Sequence, residues 1–374
     1  MKSFLSILKR ELKLFKSNKV MIMLFFGGPV LLGVVYALIY KPGKLNDLPI
    51  MIIDKDHSPA SASLIDMLED NDVLTVKYIN SENIDIKNKF INEDIYGAVV
   101  IPENFEDNLL QRRFTEVNTY INNTNQLASG YVTRAIGGVV GTLNAGISAK
   151  TGKSESVRLN VFRIFNRSSN YLTYIWPSFL AIFLQAVMLV VVAMSFAYEN
   201  ENKTFDELKK INRFTFPIMV GKASLYWMLC LVILSIYRLY FYLFRQSLPE
   251  HLSNTLFITG LFILSLSFQG MVAGLLIKTQ LKAVQFLIIL NMPAWIASGY
   301  SWPYDQDGLP AQIYGVLFPY MPFVNGFRIL LIERGTLSDI SGYINIQIIQ
   351  LVLYSFFAWL LMKQKLRRPA LAYQ

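Results

Sequence analysis

A backbone that crosses hydrocarbon must satisfy its peptide groups internally, so long apolar runs decide the fold before any other feature does. This sequence has six, at residues 20 to 40, 171 to 198, 223 to 244, 254 to 277, 284 to 300 and 343 to 362. A polar segment, residues 41 to 170, separates the first from the second. A hydrocarbon core of about 30 Å calls for about 20 apolar residues as helix. Five of the runs contain no Asp, Glu, Lys or Arg, and the run 223 to 244 contains only Arg238. Charged residues make up 16% of the chain, against about 25% in an ordinary soluble domain. The expected fold class is a polytopic α-helical membrane protein with six transmembrane helices and an extracytoplasmic α/β domain inserted between helices 1 and 2.

Lys and Arg in the short flanks set the orientation. Lys2, Lys9, Arg10, Lys13, Lys16 and Lys19 precede the first run, and Lys203, Lys209, Lys210, Arg213 and Lys222 lie between the second and third. Lys278 and Lys282 lie between the fourth and fifth, and Lys363, Lys365, Arg367 and Arg368 follow the sixth. These four segments are expected in the cytoplasm, with both termini, and residues 41 to 170, 245 to 253 and 301 to 335 outside. The net charge of +9 is then a topology signal, and nucleic-acid binding is not expected. Residues 1 to 19 read as an amphipathic helix on the inner membrane surface, with Phe4, Leu5, Leu8, Leu12 and Phe15 among basic residues. The first run is longer than a signal-peptide core and no small-x-small site follows before Lys41, so a retained anchor is expected.

The outer segment alternates strands and helices, which implies a parallel or mixed α/β sheet. Leu48 to Asp54, Val73 to Ile79, Gly97 to Ile101 and Val117 to Ile121 read as strands. Ser58 to Glu69, with a Ser cap and Pro59 in the first turn, reads as a helix, as do Glu82 to Ile91 and the stretch ending near Leu110. A long helix is expected from Asn123 to Ala149, where five glycines imply close packing or bending.

Catalytic chemistry is hard to find. Gly146 to Ser154, GISAKTGKS, ends like a phosphate-binding loop, but Ile147 stands where that loop needs glycine and a helix, not a strand, precedes it; a solvated linker is expected. The single cysteine, Cys230, excludes an internal disulfide or a Cys-x-x-Cys metal site, and His57 and His251 lack paired-ligand spacing. No catalytic, cofactor or metal residue is assigned. Asp54 and Asp56 at a strand end read first as turn and capping residues, with a ligand site as the alternative. Arg238, among Tyr237, Tyr240 and Tyr242, reads as a snorkelling cation, with a functional role as the alternative.

Several short motifs occur in order along this topology. They include Asp54 with Ser58, Gly97 to Pro102 before Phe105, Asn122-Asn123-Thr124-Asn125, Phe165-Asn166, Trp176-Pro177, Ser298-Gly299, Trp302-Pro303, Leu309-Pro310 and Phe318-Pro319. With them comes an acidic, threonine-containing segment, Glu199, Glu201, Thr204, Asp206, Glu207 and Leu208, followed by Lys222. On these grounds the chain resembles ABC-2-type transporter permeases of the exporter kind over nearly its whole length. It departs from them at Lys203-Thr204-Phe205-Asp206, where that family commonly has Gly-Thr before Glu, which bears on docking geometry.

The resemblance implies a permease subunit in a bacterial plasma (inner) membrane, dimeric with an identical or sibling permease and coupled to a separate ABC ATPase that binds ATP and Mg. Independently, the sequence has no Walker A pattern and its cytoplasmic loops are too short for a nucleotide-binding domain. Glu199, Glu201, Thr204, Asp206, Glu207 and Leu208 would form the ATPase-coupling helix within residues 199 to 222. Ser301 to Gly335, with Trp302, Pro303, Pro310, Phe318 and Pro319, reads as short helices re-entering the outer leaflet, either a gate or an aromatic anchor. Residues 363 to 374 form a cytoplasmic tail. Gln185, Gln269, Gln285, Asn291, Asn345, Gln347 and Gln350 in the spans either line a seam or bridge helices. Few ionisable groups in the spans suit a hydrophobic or amphiphilic cargo, a drug-like molecule or lipid, and a periplasmic adaptor is a further possible partner. The rival expectation is a receptor or assembly scaffold using the outer domain.

Overall fold

The computed structural model describes residues 2–80, 86, 89–90, 95–111, 113, 115–122, 126–151, 166, 170–301, 304 and 307–367. The helix expected over Glu82 to Ile91 lies largely outside them, as do Asn123 to Asn125, the end of the GISAKTGKS stretch, Phe165, Trp302, Pro303 and the last seven residues. The chain divides into two compact units, Lys44–Phe162 and Met1–Gly43 with Arg163–Gln374.

The N-terminal part of the helical unit contains α1 (Lys2–Ser17) and α2 (Lys19–Ile39). Between them the Asn18 side chain accepts from the N–H groups of Val20 and Met21 at 3.1 and 3.2 Å, which caps α2. The stretch Met23–Leu32 of α2 is π-wound around Pro29, which cannot donate to the helical ladder. Trp176 Nε1 donates to the Gly33 carbonyl and Tyr240 OH to that of Val30, both at 2.9 Å, tying this helix to its neighbours.

In the α/β unit, β1 (Leu48–Asp54), α3 (Pro59–Glu69), β2 (Leu74–Asn80), β3 (Gly97–Ile101), α4 (Phe105–Leu110), β4 (Asn118–Ile121) and α5 (Gln126–Thr151) follow one another. The sheet order is β2-β1-β3-β4, with β1 parallel to both neighbours and β4 antiparallel to β3. Central β1 is buried on both faces, as an uninterrupted apolar run should be. Ile50 and Ile52 join Leu64, Leu68 and Val132 from α3 and α5, while Met51 and Ile53 join Ile95 and Ala98. The α3 cap is reciprocal: Ser61 N donates to Ser58 Oγ at 3.1 Å and Ser58 N to Ser61 Oγ at 3.0 Å. Asp54 accepts from Ser61 Oγ and from two N–H groups of its own turn, and Asp56 accepts from the N–H groups of Phe105 and Glu106 at 2.9 and 3.0 Å. Both carboxylates are therefore turn and cap acceptors. Burial opposes the Asp56 charge, yet the Ser58 hydroxyl and the N–H groups at the start of α4 lower its pKa. In α5, a Cβ added at Gly137, Gly138, Gly141 or Gly146 would meet no other described residue within 4 Å, so the close packing expected at these four glycines is not found among the described residues.

The helical unit continues with α6 (Tyr171–Glu201), α7 (Phe205–Ile211), α8 (Thr215–Leu243), α9 (Leu252–Leu276), α10 (Gln280–Ile296), α11 (Leu309–Leu317), α12 (Tyr320–Ile332) and α13 (Ser341–Arg367). The central post is α6, against which α2, α8, α9, α10 and α12 all pack. The contact with α9 is close because Gly274 stands against the Ala193 backbone, where a Cβ would collide with the carbonyl.

Among the described residues five helices, α2, α6, α8, α9 and α13, are long and apolar enough to cross a membrane. The span expected at 284 to 300 is a helix of the same length displaced toward the N-terminus, Gln280–Ile296, of 17 residues, or about 26 Å at 1.5 Å per residue. Its last expected turn is occupied by a tight chain reversal with Gly299 at φ +80°. The broken pair α11 and α12 bends by 83° and is a sixth candidate only if the two count as one span. Helices α6 and α8 also extend past their apolar runs, so of the segment 199 to 222 only Asn202 to Thr204 and Asn212 to Phe214 lie outside helix. Hydropathy marks the apolar part of a helix and misses terminal turns whose charges are paired.

Candidate functional site

The leader helix α1 buries Ile7, Glu11, Leu14 and Phe15, one face at helical spacing, and leaves Leu5 and Leu12 exposed. It packs on α8, and Ile7 lies over Gly221, where a Cβ would stand 3.0 Å from it. That approach delivers Arg10 and Glu11 to the ends of α6 and α8.

A buried ion-pair network forms there. Lys222 Nζ lies 2.7 Å from both Glu11 Oε2 and Glu199 Oε1, and all three side chains are at most 1% exposed. The second Glu11 oxygen accepts from Ser195 Oγ and Tyr226 OH. Arg10 grips Glu199 with both terminal nitrogens, at 2.6 and 3.0 Å, and reaches Glu207 at 3.1 Å. Thr204 Oγ1 donates to Glu199. Two cations, Arg10 and Lys222, thus balance two buried carboxylates, Glu11 and Glu199, while Glu207 extends the chain to the surface. Burial works against the Arg10 charge, but hydrogen bonds and attraction from Glu199 and Glu207 raise its pKa above the ordinary guanidinium value, so it stays protonated.

The next two residues of α6 reach elsewhere. Asn200 Nδ2 donates to the Gly274 and Ile277 carbonyls at 2.9 and 3.1 Å, and its oxygen accepts from Lys365 Nζ of α13. Glu201 accepts from the backbone N and the side chain of Gln280 at 3.2 and 3.1 Å, at the start of α10, and Asn18 donates to the same Gln280 at 2.9 Å. Three consecutive residues therefore join the last turn of α6 to α1 and α8, to α9 and α13, and to α10. The paired charges are acceptor- and donor-satisfied and offer no base or nucleophile; what the arrangement supplies is mechanical connection.

Of the residues singled out from sequence, Glu199 and Leu208 are buried, Thr204 is half-buried, and Glu201, Asp206 and Glu207 are exposed. Helix α7 turns Phe205 and Leu208 inward and presents Asp206, Glu207, Lys209 and Lys210 to solvent. Sequence reasoning did not single out Arg10, Glu11, Ser195, Asn200 or Tyr226. The available signal was Glu11, a lone acid among leader lysines, facing Lys222 at the edge of an apolar run.

The opposite end of the unit carries the bent helix pair α11 and α12. Pro310 lies in the first turn of α11 and is exposed, while Phe318 and Pro319 are buried at the 83° break. The carbonyls freed by that break are taken up by side chains: Gln350 Nε2 donates to Val316 O at 2.6 Å, and Tyr354 OH and Gln269 Nε2 donate to Leu317 O. Asn325 Nδ2 donates to Ser298 O at 2.7 Å, and Tyr174 and Tyr300 each donate to the other's carbonyl. Gln185 Nε2 donates to Asn291 at 3.1 Å. These amides bridge helices, whereas Gln285 and Asn345 are exposed. Among the described residues no group of three His, Cys, Asp or Glu side chains is placed to hold a metal ion.

A comparison with curated proteins found no match. A family model described as ABC-2 family transporter protein matches residues 19–362.

Proposed function

Because the chain belongs to the ABC-2 family of transporter proteins, whose members are membrane components that normally work with an ABC ATPase, we propose that it is the permease subunit of an ATP-driven exporter. It would sit in a bacterial inner membrane with the leader, α7 and the tail in the cytoplasm and the α/β unit outside. Two permeases, identical or sibling, would enclose a path for a hydrophobic or amphiphilic cargo, a drug-like molecule or lipid. ATP and Mg would be held by the partner ATPase, and a periplasmic adaptor could engage the α/β unit.

The observation that carries this reading is the last turn of α6. A force on α7 passes through Thr204 and Glu207 to Glu199 and Arg10, and from there through Lys222 to α8 and through Glu11 to the leader. Asn200 and Glu201 pass the same displacement to α9, α13 and α10. Such a junction lets a short surface helix move several spans together, and closure of two ATPase subunits is the kind of event that would drive it. Helix α7 offers the contact: Asp206 and Glu207 lie in its first turn and Lys209 and Lys210 in its last, all exposed.

The test is purification of the full chain in mild detergent, with identification of co-purifying subunits and an ATPase assay on the eluate. A stoichiometric ATPase is expected. Charge reversal at Asp206 and Glu207 should cut its association by about tenfold or more, through like-charge contact at the interface, with membrane insertion unchanged. Asp206→Lys alone, which leaves the Arg10 contact intact, separates docking from damage to the network. No ATPase in several detergents, or full association of both variants, would overturn the reading.

A further inference from the structure

In the half of the helical unit away from the ion-pair network, a groove of about 440 Å³ runs between α6, α8, α9 and α12, within the size range of small-molecule sites. Its walls include Leu180, Leu184, Leu234, Leu256 and Phe323, with Arg238 as the one charged residue. The other polar groups on the walls are already committed. Ser235, Thr255 and Thr259 each donate to the carbonyl four residues back, and Tyr237 OH donates to Leu180 O at 3.0 Å.

Arg238 differs. It is exposed, and among the described residues no carboxylate or carbonyl pairs with its guanidinium. It stands five residues before the end of α8 at Leu243, about 7.5 Å along the helix axis. An arginine inside an apolar span is costly to leave unpaired, and planar, forked guanidinium donors match a phosphate. The mouth of the groove is apolar, with Leu231 63%, Leu256 54% and Leu248 50% exposed, a wall that suits an acyl chain. Charge complementarity and an oily wall select one occupant.

We propose that this groove holds an anionic phospholipid of the surrounding bilayer, one acyl chain against Leu180, Leu184 and Leu234 and the phosphate on Arg238. The inference rests on the chain being embedded in a membrane and stands apart from ATPase coupling.

Native mass spectrometry of the full chain in neutral detergent, titrated with phosphatidylglycerol or phosphatidylcholine, tests it. The wild type should retain one phosphatidylglycerol with about fivefold preference, the worth of one arginine near an anionic headgroup. Arg238→Gln should abolish the preference, Arg238→Lys should keep part of it, and Arg245→Gln, on the neighbouring loop, should leave it unchanged. Ser235→Trp, which fills the groove from its exposed edge, should lower retention of both lipids with Arg238 still present. Equal retention of the two lipids by the wild type, a preference surviving in Arg238→Gln, or a loss matched by Arg245→Gln would overturn the proposal.

Discussion

At the leader end of the helical unit the helices are tied by full charges, the buried Glu11, Lys222 and Glu199 and the half-buried Arg10. At the opposite end they are tied by neutral donors on backbone carbonyls: Gln350, Tyr354 and Gln269 at the α11 break, Asn325 on Ser298, and the Tyr174–Tyr300 exchange. The two chemistries respond differently to movement. A buried ion separated from its partner leaves an uncompensated charge, so the charged end holds together or fails as a block. Neutral amides can exchange partners at small cost, and among the described residues Gln269 Oε1, Gln350 Oε1 and Gln347 Nε2 have no hydrogen-bond partner, leaving capacity for a second arrangement. A stiff junction at one end and an adaptable broken helix at the other would suit the path proposed above, in which packed helices move between discrete arrangements.

The largest effect that could break this contrast is expected from Lys222→Met. It leaves Glu11 and Glu199 buried and facing each other, and should cost about 3–5 kcal/mol of stability, read as a fall in the thermal midpoint of the detergent-solubilised protein. Adding Glu11→Gln should restore most of that loss, since Glu199 keeps its pair with Arg10 and Glu11 is the carboxylate left without a cation. If Lys222→Met alone melts like the wild type, the network is not the rigid element described.

At the neutral end the expected costs are smaller. Tyr354→Phe or Gln350→Leu removes one hydrogen bond to the α11 carbonyls and should cost about 0.6–1.7 kcal/mol, the range for single interhelical bonds in membranes. The same thermal measurement applies. A loss as large as that of Lys222→Met would erase the difference between the ends.

Much of this frame was legible in the sequence because local signals and final structure agree. β1 occupies Leu48–Asp54, and Ser58-Pro59 opens the helix that ends at Glu69, since a strand buried on both faces and a capped helix write themselves into adjacent residues. The break near Phe318-Pro319 could also be anticipated, proline being unable to continue the hydrogen-bond ladder. The ion-pair network could not, because its lysine and glutamate are 211 residues apart and no local pattern says which lysine meets which glutamate. The role of Glu199 illustrates the limit: its neighbours in sequence suggest a surface acid, and only the approach of α1 and α8 shows it to be buried. The displacement of α10 from 284–300 to Gln280–Ile296 had a similar cause, as an uncharged run reads as span whether or not its last residues turn away.

The smallest effect concerns the loop joining the broken helix to α13, where Asp339 Oδ2 accepts from Thr336 N at 2.7 Å and Thr336 Oγ1 at 2.9 Å. The backbone bond, then the hydroxyl, lowers the Asp339 pKa. A depressed folded-state value means that the carboxylate supports this turn above its unfolded value of about 3.9, and that the support is lost as pH falls through the lower folded value. Hydrogen exchange across residues 333 to 340, referenced to Asp339→Asn, should therefore show protection in the wild type that is steady from pH 7 to about pH 4 and converges on the variant below it. The backbone amides of α11 are donated within a helix that no titrating group in this range holds, and they should keep their protection through the same titration. If protection of the α11 amides fell together with that of the Thr336 turn, the broken helix would depend on an ionised carboxylate after all, and the division between an end tied by buried charges and an end tied by neutral donors would need redrawing.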